Sequence, residues 1–221
     1  MRFRIRLTKP ATGRRLTLTG WLLVLLLLLC AVVSWAFTIQ KFLSPRQPLS
    51  KASIMMVEGF LPDYALQEAA NEFKSGDYDL LITTGQQISE GSFLSEYHSL
   101  AEVAFEILKH QGVDSLRLYA APARLVMRDR SVENARAGFE KLKELGVAPC
   151  RVNVVSLSVH SRRSWKIYRQ VGEQYGFETG IIAMPDSTYS ETEWWKSSRG
   201  IRAVIPESLG YYYNVLFGLS D

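Results

Sequence analysis

The residues best suited to chemistry lie in one short stretch, Arg151–Trp165. Its first half, Val152–Leu157, is apolar and β-branched, which is typical of a strand buried on both faces. The chain then turns polar at Ser158, His160 and Arg163, and continues with apolar residues at helical spacing. Ligands bind just outside the carboxyl ends of strands in an open α/β sheet. A histidine, arginines and helix-terminal N–H groups at that position indicate a site for an anionic or polyhydroxyl ligand.

Two residues are candidates for proton transfer. His160 begins a helix, whose dipole favours the neutral imidazole, and a neutral ring can both donate and accept a proton. Glu58 follows the first apolar run of the domain, and a loop that enclosed it beside Phe60 would suit its carboxyl group to general acid or base work. A structural helix cap for His160 and a solvated loop carboxylate for Glu58 are the alternative interpretations.

Other common site chemistries are not indicated. The three histidines and two cysteines do not have the spacing of metal ligands. The sequence contains no G-x-S-x-G elbow for a serine nucleophile, and residues 84–91 do not form the G-x-G-x-x-G fingerprint of dinucleotide-binding proteins. The sequence therefore predicts no metal site and identifies neither a cofactor nor an oligomeric state.

The elements that must position these residues alternate between strand and helix. The predicted strands are Ser53–Val57, Asp79–Thr83, Leu116–Ala120, Val152–Leu157 and Phe177–Ala183. Amphipathic helices separate them, the second beginning near Ser95, and a tail helix is predicted to turn Leu209, Tyr212, Tyr213 and Leu216 inward. Short connections in this order predict an α/β fold: a Rossmann-like, three-layer αβα domain with a mainly parallel sheet of about five strands.

Parallel strands end at one edge of the sheet, so the polar turns that follow them should converge there. The side chains expected to meet are Glu58, Gln86, Arg128, Glu133, Asn134, His160 and Arg163. For Glu133 a purely structural role is equally open, because a carboxylate in the first turn of a helix interacts favourably with the helix dipole. Arg128 shares its loop with two further arginines, so at least one of the three should face solvent.

The first fifty residues form a separate unit with eight basic residues and no acidic one. An uncharged apolar run predicts a transmembrane helix over residues 20–40, because it is long enough to cross a bilayer. A basic tail (1–19) precedes it, and a linker (41–51) and one domain (52–221) follow. Six basic residues lie before the run and two after it, so the positive-inside rule predicts a cytoplasmic N-terminus and an extracytoplasmic domain. A cleaved signal peptide is the alternative.

The net charge of +4 conceals an acidic domain. The chain has 26 Lys/Arg and 22 Asp/Glu, and eight of the basic residues lie in the first fifty positions. The remainder therefore carries 18 basic and 22 acidic residues, a net charge of −4. This balance argues against nucleic acid as a partner, whereas the basic tail suits anionic lipid headgroups.

The domain resembles the YdcF/SanA/ElyC family of bacterial envelope proteins over nearly all of Ser53–Tyr213. The family pattern has an apolar strand ending in glycines, a strand ending Ser-Gly-Gly, a Thr-x-Glu-Asn helix start, a Thr-Ser-x-x-His-x-x-Arg turn, and a late Trp and Glu. The matching stretches here are Ile54–Gly59, Thr84–Gln86, Ser131–Asn134 and Leu157–Arg163, with Trp194 or Trp195 and then Glu207.

The resemblance implies a Rossmann-like fold and a role in cell-envelope integrity and peptidoglycan or lipid-carrier metabolism. The ligand-binding candidates also include Gly59, Gly85, Ser131, Ser158 and Glu207, which lie in the matching stretches. Asp63, a carboxylate in the loop after the first strand, is a further candidate. The chain departs from the family at Glu58, where glycine is frequent, at Ala65, where arginine is usual, and at Ser131 and Leu157, which replace threonine. These positions lie in the predicted pocket, so the ligand itself is not carried over.

Two functions remain open from the sequence. One is an enzyme of the bacterial inner membrane, anchored by residues 20–40, that acts on a phosphorylated or glycosylated envelope precursor, either a small molecule or lipid-linked. His160 or Glu58 would then move protons while Arg163 holds the anion. The other is a non-catalytic module that senses such a molecule or regulates envelope biogenesis. A pocket enclosing Glu58, Asn134 and His160 would favour chemistry, and a shallow groove would favour binding.

Overall fold

The structure is a computed structural model that describes residues 8–9, 15–88, 94 and 96–217. Two short strands, β1 (Thr8–Lys9) and β2 (Arg15–Leu16), pair with each other ahead of a long helix, α1 (Leu18–Leu43). The order of the following elements is β3 (Arg46–Gln47), β4 (Ile54–Glu58), α2 (Asp63–Ser75), β5 (Leu80–Gln86), α3 (Leu100–His110), β6 (Leu118–Ala123), α4 (Arg130–Glu144), β7 (Arg151–Leu157), α5 (Ser161–Gln174), β8 (Glu178–Met184) and α6 (Ser198–Leu216).

The predicted α/β fold with a mainly parallel sheet is confirmed. The large sheet has six strands in the order β3-β8-β7-β4-β5-β6, and its five long strands are all parallel. The sixth strand, β3, is antiparallel to β8 and lies in the predicted linker. Two polar residues at a sheet edge carry no apolar pattern, so this strand had no sequence signal.

Helices cover both faces of the sheet, which explains why the strands are continuous apolar runs. Met55 and Val57 of β4 pack with α2 and α3, whereas Ile54 and Met56 pack with α4 and α5. Successive side chains of a strand point to opposite faces, so Glu58, the last residue of β4, continues the row of Ile54 and Met56 on the α4/α5 face. This register decides where the Glu58 carboxylate lies.

The helix predicted to begin near Ser95 begins later. Ser95 lies outside the described residues, and α3 starts at Leu100 after a capping box. The Ser99 hydroxyl accepts the Glu102 N–H at 3.1 Å, and the Glu102 carboxylate accepts the Ser99 N–H at 2.8 Å. This reciprocal pairing satisfies free donors at the helix start, and it sets the first turn of α3 directly against the end of β5.

The tail helix turns a different face inward from the one predicted. Its buried residues are Gly200, Val204 and Ser208. The four residues expected to be buried are 44–75 % exposed: Leu209, Tyr212, Tyr213 and Leu216. Apolar periodicity failed here because α6 packs through small residues, which allow close approach to α1 and to the turn before α5, and leaves its large apolar residues outside.

The last turns of α1 are part of the domain. Ile39 and Leu43 are buried in a cluster with Val159, Trp194 and Val204. In the described part of the chain, α1 is the one helix long and apolar enough to cross a membrane, and its bounds extend past residues 20–40 at both ends. The helix is therefore a candidate membrane span whose C-terminal end is held by the α/β domain.

Candidate functional site

A cavity of about 460 Å³ opens at the carboxyl edge of the sheet, between the starts of α4 and α5 and the second half of α6. This volume is within the range of small-molecule sites. Five residues predicted from the sequence contribute to its wall: Gln86, Ser131, Asn134, His160 and Arg163. The convergence of polar turns at this edge is thus present, although not every predicted residue takes part.

His160 and Arg163, which line the cavity, form one hydrogen-bonded cluster with Glu207, which does not line it. Glu207 accepts two bonds from Arg163, from Nε to Oε2 and from Nη2 to Oε1, both at 3.0 Å. His160 Nδ1 lies 2.9 Å from Glu207 Oε1. Arg163 Nη2 lies 3.1 Å from the same Nδ1. An ionised carboxylate is only an acceptor, so a proton on Nδ1 would be donated to Glu207, and in the neutral ring Nε2 would then be the acceptor nitrogen. The ring of Phe60 packs edge-on against His160, with centroids 5.0 Å apart.

The Glu207 carboxylate is held in its ionised form. Burial by itself raises the pKa of Glu207, but the hydrogen bonds from His160 and Arg163, with the positive charges of the protonated His160 ring and of Arg163, outweigh it and lower that pKa to about 2. The sequence predicted that Arg163 holds a ligand anion. In the structure its guanidinium instead forms a bidentate ion pair with Glu207, so much of its charge is compensated within the protein.

Glu58 lies behind the cavity wall. It is 1 % exposed, and its Oε2 accepts the Ser164 hydroxyl at 2.8 Å. Its Oε1 is buried without a hydrogen-bond partner among the described residues. Burial first, and then the Glu58 charge, raise the pKa of the neighbouring Tyr168 well above 10, so this phenol stays neutral and shares a 2.7 Å hydrogen bond with Thr84. Glu58, predicted as a proton-transfer residue, therefore does not line the cavity.

The start of α4 forms the wall opposite His160. Asp129 is the N-cap of α4, with φ 55° and ψ 33°, and Ser131, predicted as a ligand-binding residue, lies in the first turn beside Arg130. Asn134 is 9 % exposed and borders the cavity, and its Oδ1 has no hydrogen-bond partner in the part of the chain that the structure describes. A buried, unpaired amide oxygen is costly, and a ligand donor would satisfy it.

Glu133 and Arg128 do not contribute to the wall. The Glu133 carboxylate accepts a 2.6 Å bond from Arg136 one turn along the helix surface, which agrees with the structural interpretation of this residue. Arg128 is exposed, whereas Arg130 borders the cavity. The loop therefore supplies one arginine to the site, but not the one predicted.

Gly59 and Gly85, which were predicted as ligand-binding residues, have a packing role. A Cβ on Gly59 would lie 2.5 Å from the Leu100 carbonyl oxygen, and one on Gly85 would lie 2.7 Å from the Ala101 nitrogen. Both contacts are with backbone at the start of α3. Glycine at these positions thus lets α3 approach the ends of β4 and β5, rather than bringing backbone to a ligand.

Ser158 and Asp63, both predicted as ligand-binding residues, do not line the cavity. Ser158 is buried with φ 39°, its hydroxyl donates to Glu191 at 2.6 Å, and it accepts the Gln40 side-chain N–H at 2.9 Å. It therefore connects the turn that carries His160 to α1. Asp63 opens α2 and borders a separate groove with His110.

Sequence reasoning missed several wall residues, including Arg130, Met127 and Asn214. Met127 and Arg130 lie between the end of β6 and the first turn of α4, so their position after a strand could have predicted that they line the site. Asn214 had none, because it belongs to α6, whose orientation is set by contacts with α1 that sequence periodicity does not report.

The fold and cavity define a Rossmann-like α/β protein with a polar, ligand-sized pocket and a candidate membrane-spanning helix. Comparisons of the chain with protein-family models and with curated proteins found no match. The chemistry of the cavity is therefore the basis for assigning a function.

Proposed function

We propose that this chain is a membrane-anchored envelope protein whose α/β domain binds a polar, anionic envelope precursor, phosphorylated or glycosylated, and exchanges a proton with it through His160. The observation that carries the proposal is the 2.9 Å contact between Nδ1 of His160, which lines the cavity, and the Glu207 carboxylate. A carboxylate on Nδ1 fixes the tautomer, holds the ring in place and stabilises the imidazolium that forms when Nε2 takes a proton. His160 is then a general base toward a ligand in the cavity, and Glu207 orients it.

The cavity also has groups that suit an anion carrying hydroxyl or amide donors. Arg130 borders it and forms no ion pair or side-chain hydrogen bond with the described residues. The Val132 N–H already donates to the Asp129 carbonyl at 2.9 Å, which leaves the N–H groups of Arg130 and Ser131 at the start of α4; such groups bind phosphate and carboxylate oxygens. The unpaired Asn134 oxygen accepts a hydroxyl or amide hydrogen. Arg130 thus takes the anion-binding role that the sequence assigned to Arg163.

Location in an envelope is supported by α1 and by the resemblance to the YdcF/SanA/ElyC family. The basic tail before α1 supports an extracytoplasmic position of the domain at a bacterial plasma membrane, by the positive-inside rule. An uncleaved helix is favoured because Trp194 Nε1 donates to the Ala36 carbonyl oxygen at 2.9 Å, and the Trp194 ring packs on Trp35. The alternative, a cleaved signal peptide, would have its small-x-small cleavage site at Ser34–Ala36, and cleavage there would remove both contacts.

Binding without turnover is the second candidate function. Of the two predicted proton-transfer residues, only His160 reaches the cavity, since Glu58 is sealed behind the wall. A site with one such group can recognise a ligand and report its presence through α6 and α1 without changing it.

The two functions are separated by product analysis. Full-length protein in lipid nanodiscs is incubated with a panel of phosphorylated and glycosylated envelope precursors, and binding and products are measured by mass spectrometry. For an enzyme, H160Q should retain binding and lose product formation, whereas H110Q, a change of the histidine beside the other groove, should have no effect. Product formation at the wild-type rate by H160Q would contradict the role of His160. Binding without product by the wild type would establish the second function.

A further inference from the structure

The segment after β8 meets α1 at the level where the exposed part of that helix ends. The rings of Phe37 and Trp195 are 4.8 Å apart, and those of Trp35 and Trp194 are 5.9 Å apart. From Leu18 to Phe37, α1 rises about 30 Å, the thickness of a hydrocarbon core. When α1 spans a membrane, Trp194 and Trp195 therefore lie at the boundary between hydrocarbon and headgroups, where tryptophan is favoured.

Basic side chains continue from these tryptophans onto the first turns of α6. Lys196, Arg199 and Arg202 are all exposed, and Ile201 between them is 45 % exposed. Lys196 pairs with Glu193 and Arg202 bonds to Ser198, but Arg199 makes no ion pair or hydrogen bond within the described residues. A shallow groove of about 450 Å³ is lined by Thr188, Arg199, Arg202 and Ala203.

We infer that this surface, named here the interfacial surface and made of Trp195, Lys196, Arg199, Ile201 and Arg202, docks on the membrane that holds α1 and binds the phosphate groups of anionic phospholipids. The inference rests on the proposed anchoring by α1. The surface carries three cations, one of them paired with Glu193, whereas residues 51–221 have a net charge of −4, so the basic character is local. Basic residues next to an anionic leaflet are attracted to it, and the exposed Ile201 and half-buried Trp195 side chains suit the same boundary layer.

Docking would also set the position of the cavity relative to the membrane. Arg199, Ile201 and Arg202 of the interfacial surface belong to α6, as Glu207 does, and Glu207 lies about 14 Å along the helix axis from Ser198. A domain held at α1 and at the start of α6 has two attachment points rather than one, which restricts rotation about α1. The cavity would then be presented at a fixed height above the headgroups.

The test uses the full-length chain in nanodiscs with an environment-sensitive fluorophore at position 201. The labelled protein is I201C with C30S and C150S, and the quencher is a phospholipid with a nitroxide near its headgroup. The control label is L116C, because Leu116 is 80 % exposed and precedes β6 at the amino edge of the sheet, whereas α1 contacts the carboxyl edge through Ser158. Nanodiscs of phosphatidylcholine alone are compared with nanodiscs containing phosphatidylglycerol.

Quenching at position 201 should be strong with phosphatidylglycerol, weaker with phosphatidylcholine alone and reduced by salt, and it should stay at background for position 116. Charge reversal R199E should lower the ratio of docked to undocked protein at least fivefold, since one cation contributes about a fivefold preference for an anionic surface. The matched reversal K143E, on the exposed surface of α4, should change nothing.

Equal quenching of the wild type and R199E in phosphatidylglycerol nanodiscs would refute binding to anionic lipid. Background quenching at 201 in protein that stays in the nanodisc would refute docking while leaving the anchor intact. Extraction of the protein from membranes by alkaline carbonate would refute the anchor and the inference together. Loss of ligand binding in the cavity with normal quenching would affect only the proposed function.

Discussion

Replacing Glu207 by glutamine tests whether the His160–Arg163–Glu207 cluster has the electrostatics described above. The carboxylate titrates with a pKa of about 2 in the folded chain against an ordinary value of 4.5. A difference of about 2.5 units corresponds to about 3 kcal/mol of stabilisation of the folded state by the ionised form. Glutamine keeps the shape but has no charge, and its NH₂ group presents donors to the donors of His160 and Arg163. E207Q should therefore lower the free energy of unfolding by about 3 kcal/mol at pH 7.

The sign of the pH dependence follows from the lowered pKa. A group whose folded-state pKa is below its unfolded value contributes fully above the unfolded value, and the contribution is lost as pH falls through the folded value. The difference between wild type and E207Q should thus stay constant from pH 7 to about pH 5. It should shrink to about 1.4 kcal/mol at pH 3 and approach the residual packing cost near pH 2.

The measurement is denaturant unfolding of the full-length protein in detergent micelles, followed by near-UV circular dichroism across this pH range. E193Q is the matched control, because Glu193 forms a surface ion pair with Lys196 and is 52 % exposed at its side chain. Such pairs contribute at most about 1 kcal/mol. A difference below 1 kcal/mol for E207Q at pH 7, or one that does not shrink on acidification, would show that the cluster does not hold Glu207 in the way the distances indicate.

Three further outcomes are expected. G85A should destabilise the domain by about 1–3 kcal/mol, because the added Cβ would lie 2.7 Å from the Ala101 nitrogen. Ligand binding in the cavity should not be lost selectively. A loss of ligand affinity at unchanged stability would contradict the packing role. W194A should cost about 3–5 kcal/mol in chemical unfolding, because it empties the cluster with α1, whereas W195A, whose ring is half-buried, should cost less. Protease added outside intact spheroplasts should digest the chain beyond Lys41; full protection of the domain would overturn the proposed orientation.

Local patterns in the sequence were sufficient for the elements of the fold. The buried strands read as continuous apolar runs because helices cover both faces, and parallel order followed from their alternation with helices. The candidate membrane-spanning helix could be predicted equally well, because a helix that crosses a bilayer needs about twenty consecutive apolar residues. Even the turn Ser158–Arg163 was placed correctly at the carboxyl edge, because its position depends on one strand and one helix that adjoin it in sequence.

Which side chains meet in the cavity was decided by tertiary structure. Glu58 and Glu207 are both carboxylates at the same end of the domain, yet the register of β4 seals one against Ser164 and the packing of α6 brings the other to His160. That packing depends on Val204 and Ser208 fitting against α1 and neighbouring turns, with the larger apolar residues of α6 left exposed. Hydrophobic periodicity predicts that the opposite face of α6 is buried. It depends only on how apolar each residue is, and not on whether the neighbouring elements leave space for a large side chain. The sequence alone thus determined the fold class and the edge at which a site forms, and only the three-dimensional packing selected the residues that line it.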